Sequence, residues 1–113
     1  MSKKYTLRFR AVNKDIFDAI KSGKKTVETR AATVKYRNIK AGDSLVLICG
    51  TQRFEKKIKK ATIFKSIPAM LKKYKVKQIM PSLSTQQELE AAYYSYPGYK
   101  EKIKKFGLIA LEL

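Results

Sequence analysis

Histidine is absent from the 113-residue chain, and cysteine occurs once, at Cys49. That inventory excludes a Cys/His zinc site, a disulfide within one molecule, and any Ser-His-Asp or Cys-His hydrolase arrangement. Cys49 closes the apolar run Leu45-Val46-Leu47-Ile48-Cys49 with no charged neighbour in sequence to activate it, so it reads as a buried, inert thiol. Acidic residues number only nine and are scattered without ligand spacing, so no metal site is expected and no cofactor is implied. With five glycines and three prolines, the chain offers no linker, and residues 1–113 are expected to form one domain. No stretch approaches the roughly 20 consecutive apolar residues that span a bilayer. The start, Met1-Ser2-Lys3-Lys4-Tyr5, lacks the apolar segment of a signal peptide. The expected setting is the cytoplasm, or the nucleus if the source has one, with no membrane partner.

Charge of one sign is abundant. Lys and Arg total 26 against nine Asp and Glu, a net +17, while 44% of residues are apolar, enough for a single core. An anionic partner follows from that balance. Lys56-Lys57, Lys59-Lys60, Lys72-Lys73, Lys75, Lys77, Lys100, Lys102, Lys104 and Lys105 are interleaved with Tyr74, Tyr99 and Phe106. Such a pattern suits a nucleic acid, whose phosphates release counterions to lysines and whose unpaired bases stack on aromatic rings. A merely soluble lysine-rich surface is the plainer alternative. Because 21 of the 26 cations are lysine, sequence-specific bidentate readout is not the first expectation.

Periodicity gives the elements. Alternation over Tyr5–Arg10 predicts a strand with Tyr5, Leu7 and Phe9 inward. Asn13 as cap, Asp15 in the first turn, Ile16, Phe17 and Ile20 at helical spacing and a stop at Gly23 predict a helix. Strands are expected over Lys25–Ala31, Ser44–Cys49, Arg53–Lys65 with one phase slip, and Gly107–Leu113. Just before Ser44, Ala41-Gly42-Asp43 is read as a turn. Helices are expected at Ile67–Tyr74, with Pro68 in the first turn, and after the capping-box spacing Thr85-Gln86-Gln87-Glu88. Two to three helices beside about five to six strands give an α+β fold, a small mixed β-barrel or curled sheet.

One segment concentrates chemistry. Lys24-Lys25-Thr26-Val27-Glu28-Thr29-Arg30 sets a carboxylate among cations where the first helix hands over to a strand. Two apart on that strand, Glu28 and Arg30 share a face, and Val27 and Thr29 point the other way. In a cleft, Arg30 would hold Glu28 ionised and Lys25 would add a point charge. On an open sheet the same residues would be an ordinary solvated ion pair. Spacing leaves both readings open.

Gly23-Lys24-Lys25-Thr26-Val27-Glu28-Thr29-Arg30 resembles the G-x-K-x-x-E-x-R pattern of the ASCH domain, a PUA-like family. Lys40-Ala41-Gly42-Asp43 resembles the family's following K-x-G-D turn, and Tyr96-Pro97 stands before the last strand as in its relatives. The resemblance implies a PUA-like β-barrel with helices beside it and a cleft where Lys25, Glu28 and Arg30 meet. It also implies RNA, nucleotide or modified-nucleoside binding, in RNA metabolism or in transcription or translation control. One branch of similar proteins consists of N4-acetylcytidine amidohydrolases. By position their lysine is Lys25, but where they carry a threonine nucleophile this chain has Glu28. Other relatives have been considered ribonucleases, for which Lys25, Glu28 and Tyr96 are the catalytic candidates.

The leading expectation is a noncatalytic domain that binds single-stranded or structured RNA, with DNA as a further partner. Its ligand-binding residues would be Lys24, Lys25, Glu28, Arg30 and Tyr96. A hydrolase of acylated nucleosides or RNA phosphodiesters is the rival, and an adaptor for an acidic protein is a third reading.

Overall fold

Lys4–Phe9 forms the first strand, β1, and its alternation buries Leu7 and half-buries Tyr5 and Phe9 while Lys4, Thr6 and Arg8 face water. The structure, a computed structural model, describes residues 2–113. In it β1 runs parallel to β3 (Ser44–Cys49), and β3 pairs antiparallel with β4 (Gln52–Lys57). A second, wholly antiparallel sheet has the order β2 (Val27–Ala31), β6 (Leu108–Glu112), β5 (Lys60–Phe64). The architecture is α+β. Among the described residues the ladders form these two sheets of three strands and do not close into a ring.

Core packing follows from β6, which is central in its sheet and buried on both faces. Ile109 and Leu111 join Leu7, Phe17, Leu45 and Leu47 in one apolar cluster. Leu108 and Ala110 face the opposite way, into a second cluster with Val27, Met70, Leu89, Tyr93 and Ile103. Cys49 is buried in the first cluster, as its apolar run requires.

Helix α1 (Lys14–Ser22) buries Phe17 and Ile20 and ends at Gly23, whose φ of 85° a side chain would resist. The expected cap by Asn13 is a correction. A 3-10 turn, Ala11–Asn13, runs straight into α1, and Asn13 lacks the extended backbone that lets a side chain reach the first N–H groups. A second correction concerns the long strand expected over Arg53–Lys65. The chain changes sheets at Ile58, whose N–H donates to Asp43 O at 2.8 Å and whose carbonyl accepts from Gly42 at 2.9 Å. The phase slip in the sequence is that corner.

Among the described residues five α-helices form where two to three were expected. In α2 (Ile67–Leu71), Ser66 caps by accepting from Ala69 N–H at 3.2 Å. In α4 (Gln86–Tyr94), Thr85 and Glu88 close the expected capping box. The unforeseen two are α3 (Val76–Ile79) and α5 (Tyr99–Phe106). At four residues α3 is too short to show a period, and α5 hides Ile103 among lysines. Among the described residues no helix is long and apolar enough to cross a membrane.

Candidate functional site

Strand β2 lies at the edge of its sheet, so half of its backbone groups lack a ladder partner. Leu113 N–H donates to Thr26 O and Ala32 N–H to Gly107 O, both at 2.9 Å. With the Glu28–Leu111 and Arg30–Ile109 register, these bonds turn the main-chain groups of Val27, Thr29 and Ala31 to the open edge. Side chains of the motif, with Tyr99 from α5, then occupy it. Thr29 N–H donates to Oε1 of Glu28 at 2.9 Å, and Ala31 N–H donates to the Tyr99 hydroxyl at 2.8 Å. Lys25 donates from Nζ to Val27 O at 2.8 Å and to Ile79 O at the end of α3.

Lys25, at 3% exposure, and Glu28, at 5%, are the two most deeply buried charged side chains of the motif. Their ion pair spans 3.4 Å, and Arg30 Nη2 meets the other carboxylate oxygen at 3.4 Å. Burial pushes the Lys25 pKa down, and Glu28 opposes that shift without reversing it. The geometry nevertheless calls for the ammonium form. Three oxygens, Val27 O, Ile79 O and Glu28 Oε1, surround Nζ, so a neutral amine would aim a lone pair at one of them. For Glu28, burial raises the pKa, but Lys25, Arg30 and the Thr29 N–H outweigh it and hold the carboxyl below its ordinary value. Burial works to lower the Arg30 pKa, but Glu28, Tyr36 and Tyr99 together raise it, so the guanidinium stays charged. Its guanidinium is flanked by the rings of Phe9 at 5.6 Å and Tyr36 at 5.8 Å.

These groups line a cavity of about 250 Å³. Lys25, Glu28, Thr29 and Arg30 form its floor, Arg8, Phe9 and Arg10 come from the end of β1, and Asn13 and Ile16 from the start of α1. Met80, Tyr93, Tyr96 and Tyr99 complete the lining. Tyr93 and Tyr99 stack with 6.1 Å between ring centres and 13° between planes, and Tyr96 meets Tyr99 edge-on at 5.7 Å. Burial raises the pKa of both Tyr93 and Tyr99, so each is a neutral phenol.

Of the residues singled out in the sequence, Lys25, Glu28, Arg30 and Tyr96 meet at this cavity. Lys24 does not. The left-handed turn at Gly23 sends Lys24 to solvent and the next residue, Lys25, inward. Thr29 was expected on the opposite face from Glu28, and its hydroxyl does pair with that of Tyr93 on the helix side. As the strand is an edge, both faces open on the cavity. Arg8 and Arg10 escaped the sequence reading, although a signal existed. Three of the five arginines line the cavity, against one of the 21 lysines among the described residues. In a lysine-rich chain, two arginines within three residues, Arg8 near the end of β1 and Arg10 just past it, stand out.

Among the described residues no group of three His, Cys, Asp or Glu side chains is placed to hold a metal ion. The ASCH domain model matches residues 11–113. A crystal structure of the hypothetical protein PH0355 is similar over 99% of this chain and 96% of its own, with a TM-score of 0.75 and 27% identity. A solution structure of protein PF0455 from Pyrococcus furiosus is similar over 96% and 94%, with a TM-score of 0.70 and 25% identity. No curated protein matches the chain. A family model covering all but the first ten residues leaves one conclusion, that this chain belongs to the ASCH domain family.

Proposed function

We propose that the chain acts as a single RNA-binding domain that takes one unpaired nucleotide into the cavity at the edge of β2, in RNA metabolism or in the control of transcription or translation. The observation that carries this reading is the cavity lining, four cationic side chains and one carboxylate beside three tyrosines. At about 250 Å³ the cavity lies just under the roughly 300 Å³ lower bound of drug-sized pockets, so it suits a base or nucleoside, not a duplex. Ionised Glu28 accepts from an exocyclic amine or a ribose 2′-hydroxyl, the group that separates RNA from DNA. Arg30, with one side-chain bond to Glu28 and donors to spare, orients the ligand, and Arg8 and Arg10 take a phosphate as bidentate forks. Tyr96, 37% exposed at the rim, stacks on the base. The net charge of +17 draws the polymer in.

A hydrolytic role has less support. Lys25 Nζ donates to two carbonyls and stands 3.4 Å from the Glu28 carboxylate, surroundings that suit an ammonium and not the lone pair of a general base, and Glu28 replaces the threonine that the amidohydrolase branch uses.

Filter binding of short single-stranded RNA across a salt series tests the reading. A log–log slope steeper than about −1 is expected, because each phosphate contact on a single strand contributes about −0.7. A shallower slope, or equal affinity for a neutral polymer, would remove it.

A further inference from the structure

From Lys56 to Gln87 the chain carries nine lysines and no acidic residue. This segment builds β5, α2 and α3, and between the two helices it forms an open groove of about 590 Å³. Lys72, Lys73, Lys75 and Lys77 line the groove with exposed side chains, together with Tyr74 and Ser84. The nearest carboxylates are already engaged. Glu88 accepts from the N–H groups of Ser84 and Thr85 at 3.0 Å each and from the Thr85 hydroxyl at 3.1 Å, while Glu112 accepts from the Tyr74 hydroxyl. Contact with Lys60 is the chief cause that lowers the pKa of Lys73, the mark of two like charges that an anion between them would relieve.

The groove is not remote from the cavity. Val76 and Lys77, at the start of α3, line the groove, while Ile79 at its end holds Lys25 and Met80 lines the cavity. Lys77 and Met80 are three residues apart, about one helical turn.

We propose that the α2–α3 groove is a second binding site that seats the phosphate backbone of the same single strand, on the side where it leaves the cavity. The inference rests on the nucleotide reading of the cavity given above. The two sites divide the work by residue type. Arginine forks and one carboxylate, set on strands, read a nucleotide, whereas the lysines of the groove are flexible point charges that hold phosphates of any sequence. An oligonucleotide therefore gains affinity over a mononucleotide by an amount that salt removes.

The test compares the parent protein with a Lys72→Ala, Lys73→Ala, Lys75→Ala, Lys77→Ala variant, using uridine monophosphate and a short oligouridylate across a salt series. All four lysines are exposed, so the fold should survive, and circular dichroism checks it. A Lys72→Gln, Lys77→Gln double variant gives a second, milder reading. Loss of four contacts should make the oligouridylate slope shallower by about 3, and loss of two by about 1.4, with mononucleotide affinity unchanged within about twofold. An unchanged oligouridylate slope overturns the groove. So does an equal loss for both ligands, which would mean a general field, and so does polyglutamate competing as well as oligouridylate, which would point to an acidic protein. Failure of the mononucleotide to bind the parent protein would instead strike the cavity reading, because the groove is judged on the oligouridylate slope alone.

Discussion

The ammonium of Lys25 stands 3.4 Å from Oε1 of Glu28, with side chains only 2% and 6% exposed. Desolvating two such charges costs several kcal/mol, so the pair is not a source of net stability by itself. It is a mutual necessity. Replacing Lys25 with Met would leave a buried carboxylate without one of its two cations and the carbonyls of Val27 and Ile79 without that donor, and should cost about 3–5 kcal/mol. Glu28→Gln keeps an acceptor for Thr29 N–H and should cost less. The Lys25→Met, Glu28→Gln double variant should be clearly more stable than the sum of the two single losses predicts, because neither deeply buried charge remains and the only one left unpaired is the more exposed Arg30. Urea denaturation of the three variants measures this, and strict additivity would show that the two charges do not interact.

The same pair sets an acid limit. Glu28 has a folded pKa below its ordinary 4.5, so the unfolded chain binds its proton more readily. The stability this adds is present above about pH 4.5 and is lost as pH falls through the folded value. Asp43, held low by the backbone N–H groups of Lys3 and Lys40, shifts in the same direction. Melting temperature should therefore drop as pH falls below about 4.5, and part of that drop should vanish in Glu28→Gln. Parallel curves for parent and variant would remove Glu28 from the account.

How far the sequence could be read depended on where side chains report to the pattern. Leu7, Phe17, Ile20 and Leu89 repeat at the period of their elements, and each is fully buried where that period placed it. Thr85 and Glu88 announced their capping box because both halves are local. Helix α5 was legible in principle, since Tyr99, Ile103 and Phe106 keep helical spacing, but its five other positions are charged and read as a basic run. The site divides in the same way. Glu28 and Arg30 share a face by simple alternation, whereas Tyr99 reaches the N–H of Ala31 across 68 positions, a contact no local pattern encodes. That β2 is an edge strand is a fact of topology. It explains why Thr29, assigned to the far face, also lines the cavity.

Tyr99→Phe isolates one of these long-range contacts. The hydroxyl accepts from Ala31 N–H at 2.8 Å, and without it a partly buried edge amide loses its partner. A cost of about 1–2 kcal/mol is expected, the penalty of an unsatisfied donor, with the stacked ring left in place. Hydrogen exchange should quicken at Ala31 more than at neighbouring amides of β2. Unchanged protection there would mean that solvent already satisfies the group.

Arg30 and Tyr96 separate orientation from stacking at the cavity. Arg30→Lys keeps the charge but loses the planar fork that is flanked by Phe9 and Tyr36 and reaches Glu28. Charge-assisted bonds of about 1.5–3 kcal/mol predict a ten- to hundredfold weaker uridine monophosphate affinity. Because Arg8 and Arg10, not Arg30, take the phosphate in this reading, the salt slope should hardly change. Tyr96→Ala removes a stacking face worth about 1–3 kcal/mol, and its loss should be felt by every base alike, again at constant slope. Isothermal titration calorimetry over a salt series reads both quantities. If either variant binds as tightly as the parent, that residue lines the cavity without touching the ligand, and if the Arg30→Lys slope falls by a full contact, Arg30 is a phosphate clamp and not an orienting group.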